Sequence, residues 1–180
     1  MIESANFRSL NRGGMASTTI LNVILALKES DRSDGLFRPI IETEDLAWHF
    51  EISEFDKLGL LLNHIEIKAY TPASLLLEGH FEQVQNKIRS LQDFKLIEYD
   101  RANATMLLRS RVPKKLGDVI KYYEIVLQRG DQLRFTRYEF DQAKGRRRVI
   151  PANLARETFE ELLVDFEAIF SAPTSHERAA

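Results

Sequence analysis

The residues with the clearest capacity for chemistry are the four cations in Lys144-Gly145-Arg146-Arg147-Arg148. A guanidinium presents five N–H donors in a rigid planar fork that matches carboxylate or phosphate oxygens two at a time, so such a run is a candidate anion-binding surface. Arg134 and Arg137 lie shortly upstream, in a stretch that also holds Tyr122, Tyr123, Phe135, Tyr138 and Phe140. Tyrosine and arginine together are what the cores of protein interfaces favour. The candidate contacts to an anionic partner are therefore Arg134, Arg137, Lys144, Arg146, Arg147 and Arg148, with Tyr123 and Tyr138 as aromatic anchors. The structural alternative is that these arginines pair with Glu157, Glu160 and Glu161 in the acidic stretch that follows.

Other chemistries find less support. His49, His64, His80 and His176 never stand four residues apart, and no H-E-x-x-H occurs, so the usual zinc pattern is missing. There is no cysteine and no G-x-S-x-G, which removes thiolate ligands, cysteine nucleophiles and the common serine-nucleophile turn. The single glycine pair, Gly13-Gly14, is not followed by G-K-[ST], so no phosphate-cradling loop of the usual kind is present. Acidic clusters at Glu42/Glu44/Asp45 and Glu160/Glu161/Asp165 read as a turn and a solvated helix face. The reading is therefore a protein that is not an enzyme and has neither metal nor cofactor.

Charge is unevenly spread. Residues 1 to 100 carry 10 Lys/Arg against 16 Asp/Glu, residues 101 to 150 carry 13 against 5, and the remainder 2 against 6. That basic island bears on partners and says nothing of fold. Hydrophobic residues make up 44% and charged residues 29%, the proportions of an ordinary folded domain. The apolar run from Ile20 to Leu27 falls well short of the ~20 residues a bilayer requires. No membrane insertion is expected, and the absence of cysteine suits a reducing, cytoplasmic setting.

The elements that must position these residues follow from periodicity. Ile20, Val23, Ile24 and Leu27 have helical spacing after an N-cap at Ser17 or Thr18, and Asp31 to Gly35 ends the element with turn chemistry. Trp48, Phe50 and Ile52 alternate with polar residues as in a half-buried strand, and Asn63 to Tyr70 reads as another. Phe81, Val84, Ile88 and Leu91 mark an amphipathic helix from His80 to Gln92. Phe94 to Asp100 and Thr105 to Ser110 form one hairpin, and Tyr122 to Gln128 and Leu133 to Phe140 a second across Arg129-Gly130-Asp131. Asp141 to Arg148 reads as a loop, and Pro151 opens a long C-terminal helix through Leu162 and Ile169.

The pattern predicts an α+β fold: a mostly antiparallel sheet covered on one face by helices, with a long C-terminal helix. Residues 1–14 are expected to be a flexible leader, 15–171 a single domain and 172–180 a frayed tail. Functionally the reading is a protein-interaction adaptor or assembly factor that recognises a partner with an acidic surface. One alternative is nucleic-acid binding by a winged-helix-like segment over residues 71–110. Another is a ligand-binding or catalytic cavity between sheet and helices.

Overall fold

The computed structural model describes residues 16–72, 86–91, 93–111 and 114–170. Two α-helices stand among them, α1 (Ala16–Leu25) and α2 (Arg156–Phe170), with a one-turn 3-10 helix at Glu29–Asp31. The strands are β1 (Arg32–Ser33), β2 (Leu36–Phe37), β3 (Ile40–Glu42), β4 (Leu46–Phe55), β5 (Gly59–Ala69), β6 (Phe94–Asp100), β7 (Thr105–Ser110), β8 (Lys114–Leu116), β9 (Val119–Gln128), β10 (Gln132–Asp141), β11 (Arg146–Val149) and β12 (Ala152–Ala155). They form one sheet in the order β1-β2-β4-β5-β10-β9-β7-β6, with β3 on β4, β8 on β9, β11 on β10 and β12 on β5. Every pairing is antiparallel.

This overturns the expected α+β architecture with its helix-covered sheet. Strand takes 53% of the described residues against 20% helix, so the fold is mainly β. Of the described helices, α2 packs against β5 and β12, and α1 packs against α2. The physical reason lies in the segments that look like loops. β2, β3, β8, β11 and β12 have two to four residues each, too few for alternation to register, and they become strands only because a longer strand offers its edge. The predicted loop at Asp141 to Arg148 contains the start of β11. The predicted helix start at Pro151 is displaced to Arg156, because Ala152–Ala155 pairs with Gly59–Leu62. Of the helix expected over His80 to Gln92, residues 80–85 and 92 lie outside the described residues, and among the rest only Asn86 and Lys87 are helical.

Local chemistry sets the hairpins. Asp56 closes β4–β5, its carboxylate accepting the backbone N–H groups of Leu58 (2.7 Å) and Gly59 (2.9 Å). Arg129 and Gly130 close β9–β10 with φ of 52° and 73°, the pair of positive values that a type I′ turn requires.

A fork in the sheet decides where the basic segment goes. β10 pairs with β5 over Gln132–Thr136 and with β11 over Tyr138–Asp141, while β5 turns to β12 over Gly59–Leu62. Thus β5 and β10 part company, and β11, Ile150, Pro151 and β12 fill the wedge. Arg137 holds the apex. Its carbonyl accepts the Ile150 N–H (3.0 Å), and its guanidinium donates to the Pro151 carbonyl (3.3 Å).

Side chains alternate across the sheet, and one face forms the core. Trp48, Phe50, Ile65, Ile67, Leu133, Phe135, Ile125 and Leu127 are buried there against Phe159, Leu162, Phe166 and Ile169 of α2. Phe159 meets Phe50 edge-on at 6.1 Å, and Phe166 tilts against Phe135 at 5.6 Å. Each such buried side chain contributes about 1.5–3 kcal/mol, which is why the aromatic stripe of α2 docks here. Among the described residues, a void of about 10 Å³ lined by Leu21, Ile24 and Leu60 is one gap beside the helices, room for about one water.

Candidate functional site

The other face of the sheet can be read as rows, because residues opposite one another in antiparallel strands project the same way. Arg109, Glu124, Thr136, His64 and Glu51 make one row, from β7 across β9, β10 and β5 to β4. Tyr122, Tyr138 and Val149 make the next, and Ile120, Phe140 and Arg147 the one beyond. Neither described helix packs on this face.

Its centre is the Glu124 carboxylate, 6% exposed. It accepts one N–H from Arg109 Nε (2.8 Å) at Oε2 and one from Arg147 Nη2 (2.6 Å) at Oε1. Both guanidiniums also lie over tyrosine rings. Arg147 is 3.4 Å from the Tyr138 centroid and 5.8 Å from that of Tyr122, and Arg109 is 5.1 Å from Tyr122. The two tyrosines stack at 5.9 Å. Burial opposes the charge on Arg147, but the hydrogen bond and charge of Glu124, with the two tyrosines, outweigh it and hold its pKa above the ordinary arginine value.

Beside this cluster, His64 Nδ1 lies 3.1 Å from the hydroxyl of buried Thr136, and His64 Nε2 lies 3.8 Å from Glu66. Desolvation, then the Arg134 charge, lowers the His64 pKa against the opposing pull of Glu66 and Glu51.

The sequence-predicted residues are divided between the two faces. Tyr138 and Arg147 come together on the open face, and Arg134 is exposed on it, with no ion pair among the described residues. Tyr123 falls on the core face, stacked on Phe135 at 5.6 Å, with Arg137 over its ring at 5.4 Å. Arg137 is therefore occupied at the fork. Arg148 lies on that same side, its Nη2 2.7 Å from Glu139, which Lys121 also reaches at 3.3 Å. Lys144 pairs with Asp141 at 3.3 Å, and Arg146 is exposed without an ion pair among the described residues.

The arginines thus do not pair with the C-terminal helix. Glu160 is taken by Arg156 of its own helix at 3.0 Å, and the basic segment is matched by Glu124, Glu139 and Asp141 of the sheet. Tyr122, Arg109 and Glu124 are additions that sequence reading missed. Tyr122 carried a signal, since counting outward from Gln128 and Gln132 places it opposite Tyr138. Arg109 and Glu124 carried none, because they meet only through the pairing of β7 with β9.

Two alternatives meet specific geometry. The β6–β7 hairpin, the would-be wing, is joined to the main sheet through β7 and β9, and of its would-be recognition helix residues 81–85 lie outside the described residues while 88–91 are not helical. An open cleft of about 560 Å³ lies beside Asp93 and Phe94 at the start of β6, edged by Arg89 and Arg111. No group of three or more His, Asp or Glu suited to a metal occurs among the described residues. No described helix is long and apolar enough to cross a membrane. Comparison with protein-family models, with curated proteins and with solved structures gave no match for this chain.

Proposed function

We propose that this protein is a non-enzymatic interaction module that engages a protein partner through the open face of its sheet. The observation that carries the reading is the Tyr122–Tyr138 stack with the Arg147 guanidinium 3.4 Å from the Tyr138 centroid, on a face that neither described helix packs against. Tyrosine gives large contact area with little loss of side-chain freedom, and tyrosine and arginine are prominent among the residues whose removal weakens protein complexes most. Val149, 52% exposed in the Tyr138 row, extends the surface with an apolar residue.

A protein partner suits this surface better than a nucleic acid. Binding a phosphate backbone draws on several uncompensated cations. Here Lys144 and Arg148 are each paired with a carboxylate of the sheet, and Arg147 shares the Glu124 carboxylate with Arg109.

Affinity capture from a native lysate, with and without nuclease, tests the reading. Wild type is expected to retain a protein that survives nuclease, and Tyr138→Ala to lose it while remaining folded by circular dichroism. Recovery that vanishes with nuclease, or that is equal for wild type and Tyr138→Ala, refutes it.

A further inference from the structure

Arg109 and Arg147 stand on either side of Glu124, and each gives that carboxylate one hydrogen bond. A guanidinium has five N–H donors, so among the described residues most of the donors on both forks have no acceptor. Their side chains are 33% and 37% exposed, whereas that of Glu124 is 7% exposed. The buried carboxylate thus acts as an anchor beneath two half-exposed forks. Glu124 and the two tyrosine rings hold those forks in place before any ligand arrives.

We infer that Arg109 and Arg147 form a carboxylate-binding subsite, and that its occupant is an aspartate or glutamate side chain on an acidic segment of a partner protein. This rests on the protein-interaction reading above and specifies what that partner presents. Charge selects the occupant. Two guanidiniums against one carboxylate leave a single positive charge uncompensated, which one further carboxylate neutralises. A phosphate dianion would overshoot and meet the Glu124 charge at close range. Planar forks also match a planar carboxylate through two parallel hydrogen bonds. Tyr122 and Tyr138 shield the guanidinium faces from water, so the pair formed is stronger than one on an open surface. Glu124 is a positioning residue here and does not touch the ligand.

The test uses purified full-length protein and a fluorescein-labelled hexa-aspartate peptide read by anisotropy, with hexa-asparagine as the neutral control. Hexa-aspartate is expected to bind and hexa-asparagine to fail. Arg109→Ala and Arg147→Ala should each weaken binding about tenfold or more, the loss of a charge-assisted contact. Arg147→Lys, which keeps the charge and loses the fork, should weaken it nearly as much, while Arg146→Ala changes it less than about twofold. The Arg109 and Arg147 Nε–H resonances of the wild type should shift on adding the peptide, a readout independent of whether any variant folds.

Equal losses for Arg146→Ala and Arg147→Ala, unmoved Nε–H resonances, or displacement by inorganic phosphate at lower concentration than by acetate would each overturn the proposal. Capture of a Tyr138-dependent protein partner that hexa-aspartate does not displace removes this subsite and leaves the interaction reading standing. Hexa-aspartate binding without any captured partner does the reverse.

Discussion

Arg147 stacks its guanidinium on the ring of Tyr138, a residue that is not its direct partner across the β10–β11 ladder. Arg147 stands opposite Phe140, and its side chain reaches back one row to lie 3.4 Å from the Tyr138 centroid and 2.6 Å from Glu124. The basic segment is therefore tied into the sheet through a buried acid and an aromatic ring. Its energetics should be those of a network and not of separate surface charges.

Glu124→Gln and Glu124→Ala test the network. Removing a buried acceptor of two charged donors is expected to destabilise the fold by about 1–3 kcal/mol for alanine, and less for the isosteric glutamine. Urea unfolding of Arg109→Ala, Arg147→Ala and the double variant should show non-additivity, since both arginines share one acceptor. Additive effects would show that the two ion pairs are independent.

Gly59 lies where β12 crosses closest to β5, and a Cβ there would collide with the Leu154 carbonyl oxygen. A backbone atom cannot swing aside as a side-chain end can. Gly59→Ala should lower stability by about 1–3 kcal/mol, as overpacking does. The loss should be read as a lower melting temperature together with faster hydrogen exchange at Leu60 and Leu62, whose partners are Leu154 and Ala152.

Arg129 occupies the first central position of the β9–β10 turn at φ 52°, a region its side chain disfavours. Asparagine tolerates that conformation and is preferred in such turns. Arg129→Asn should therefore stabilise the fold by on the order of 0.5 kcal/mol, seen as a rise in the urea midpoint. The hydrogen bond from its N–H to the Ala104 carbonyl (2.9 Å) is kept, because it belongs to the backbone.

His64 should impose a pH dependence. Its pKa is lowered in the folded protein, so the unfolded chain takes up a proton first as the solution is acidified. The contribution of neutral His64 is fully present above the unfolded value of about 6.5 and is lost as pH falls through the lower folded value. Stability of the wild type should fall on acidification below about pH 6.5 more steeply than that of His64→Gln. Parallel curves for the two proteins would remove His64 as the cause.

What the sequence alone determined is local. The hairpins over Phe94–Ser110 and Tyr122–Phe140, the alternation of Trp48, Phe50 and Ile52, and the apolar spacing of Leu162, Phe166 and Ile169 rest on turn residues and periods within a few positions of one another. Tertiary structure decided the rest. Val149 and Ala152 belong to strands because β10 and β5 diverge and leave open edges, and unpaired backbone groups there favour any segment able to satisfy them. The same divergence carries Arg147 over Tyr138 and sends Tyr123 and Arg137 to the opposite face. Alternation with a period of two made that split inevitable for adjacent tyrosines, and only the packing of α2 against one face chose which of them would join the core.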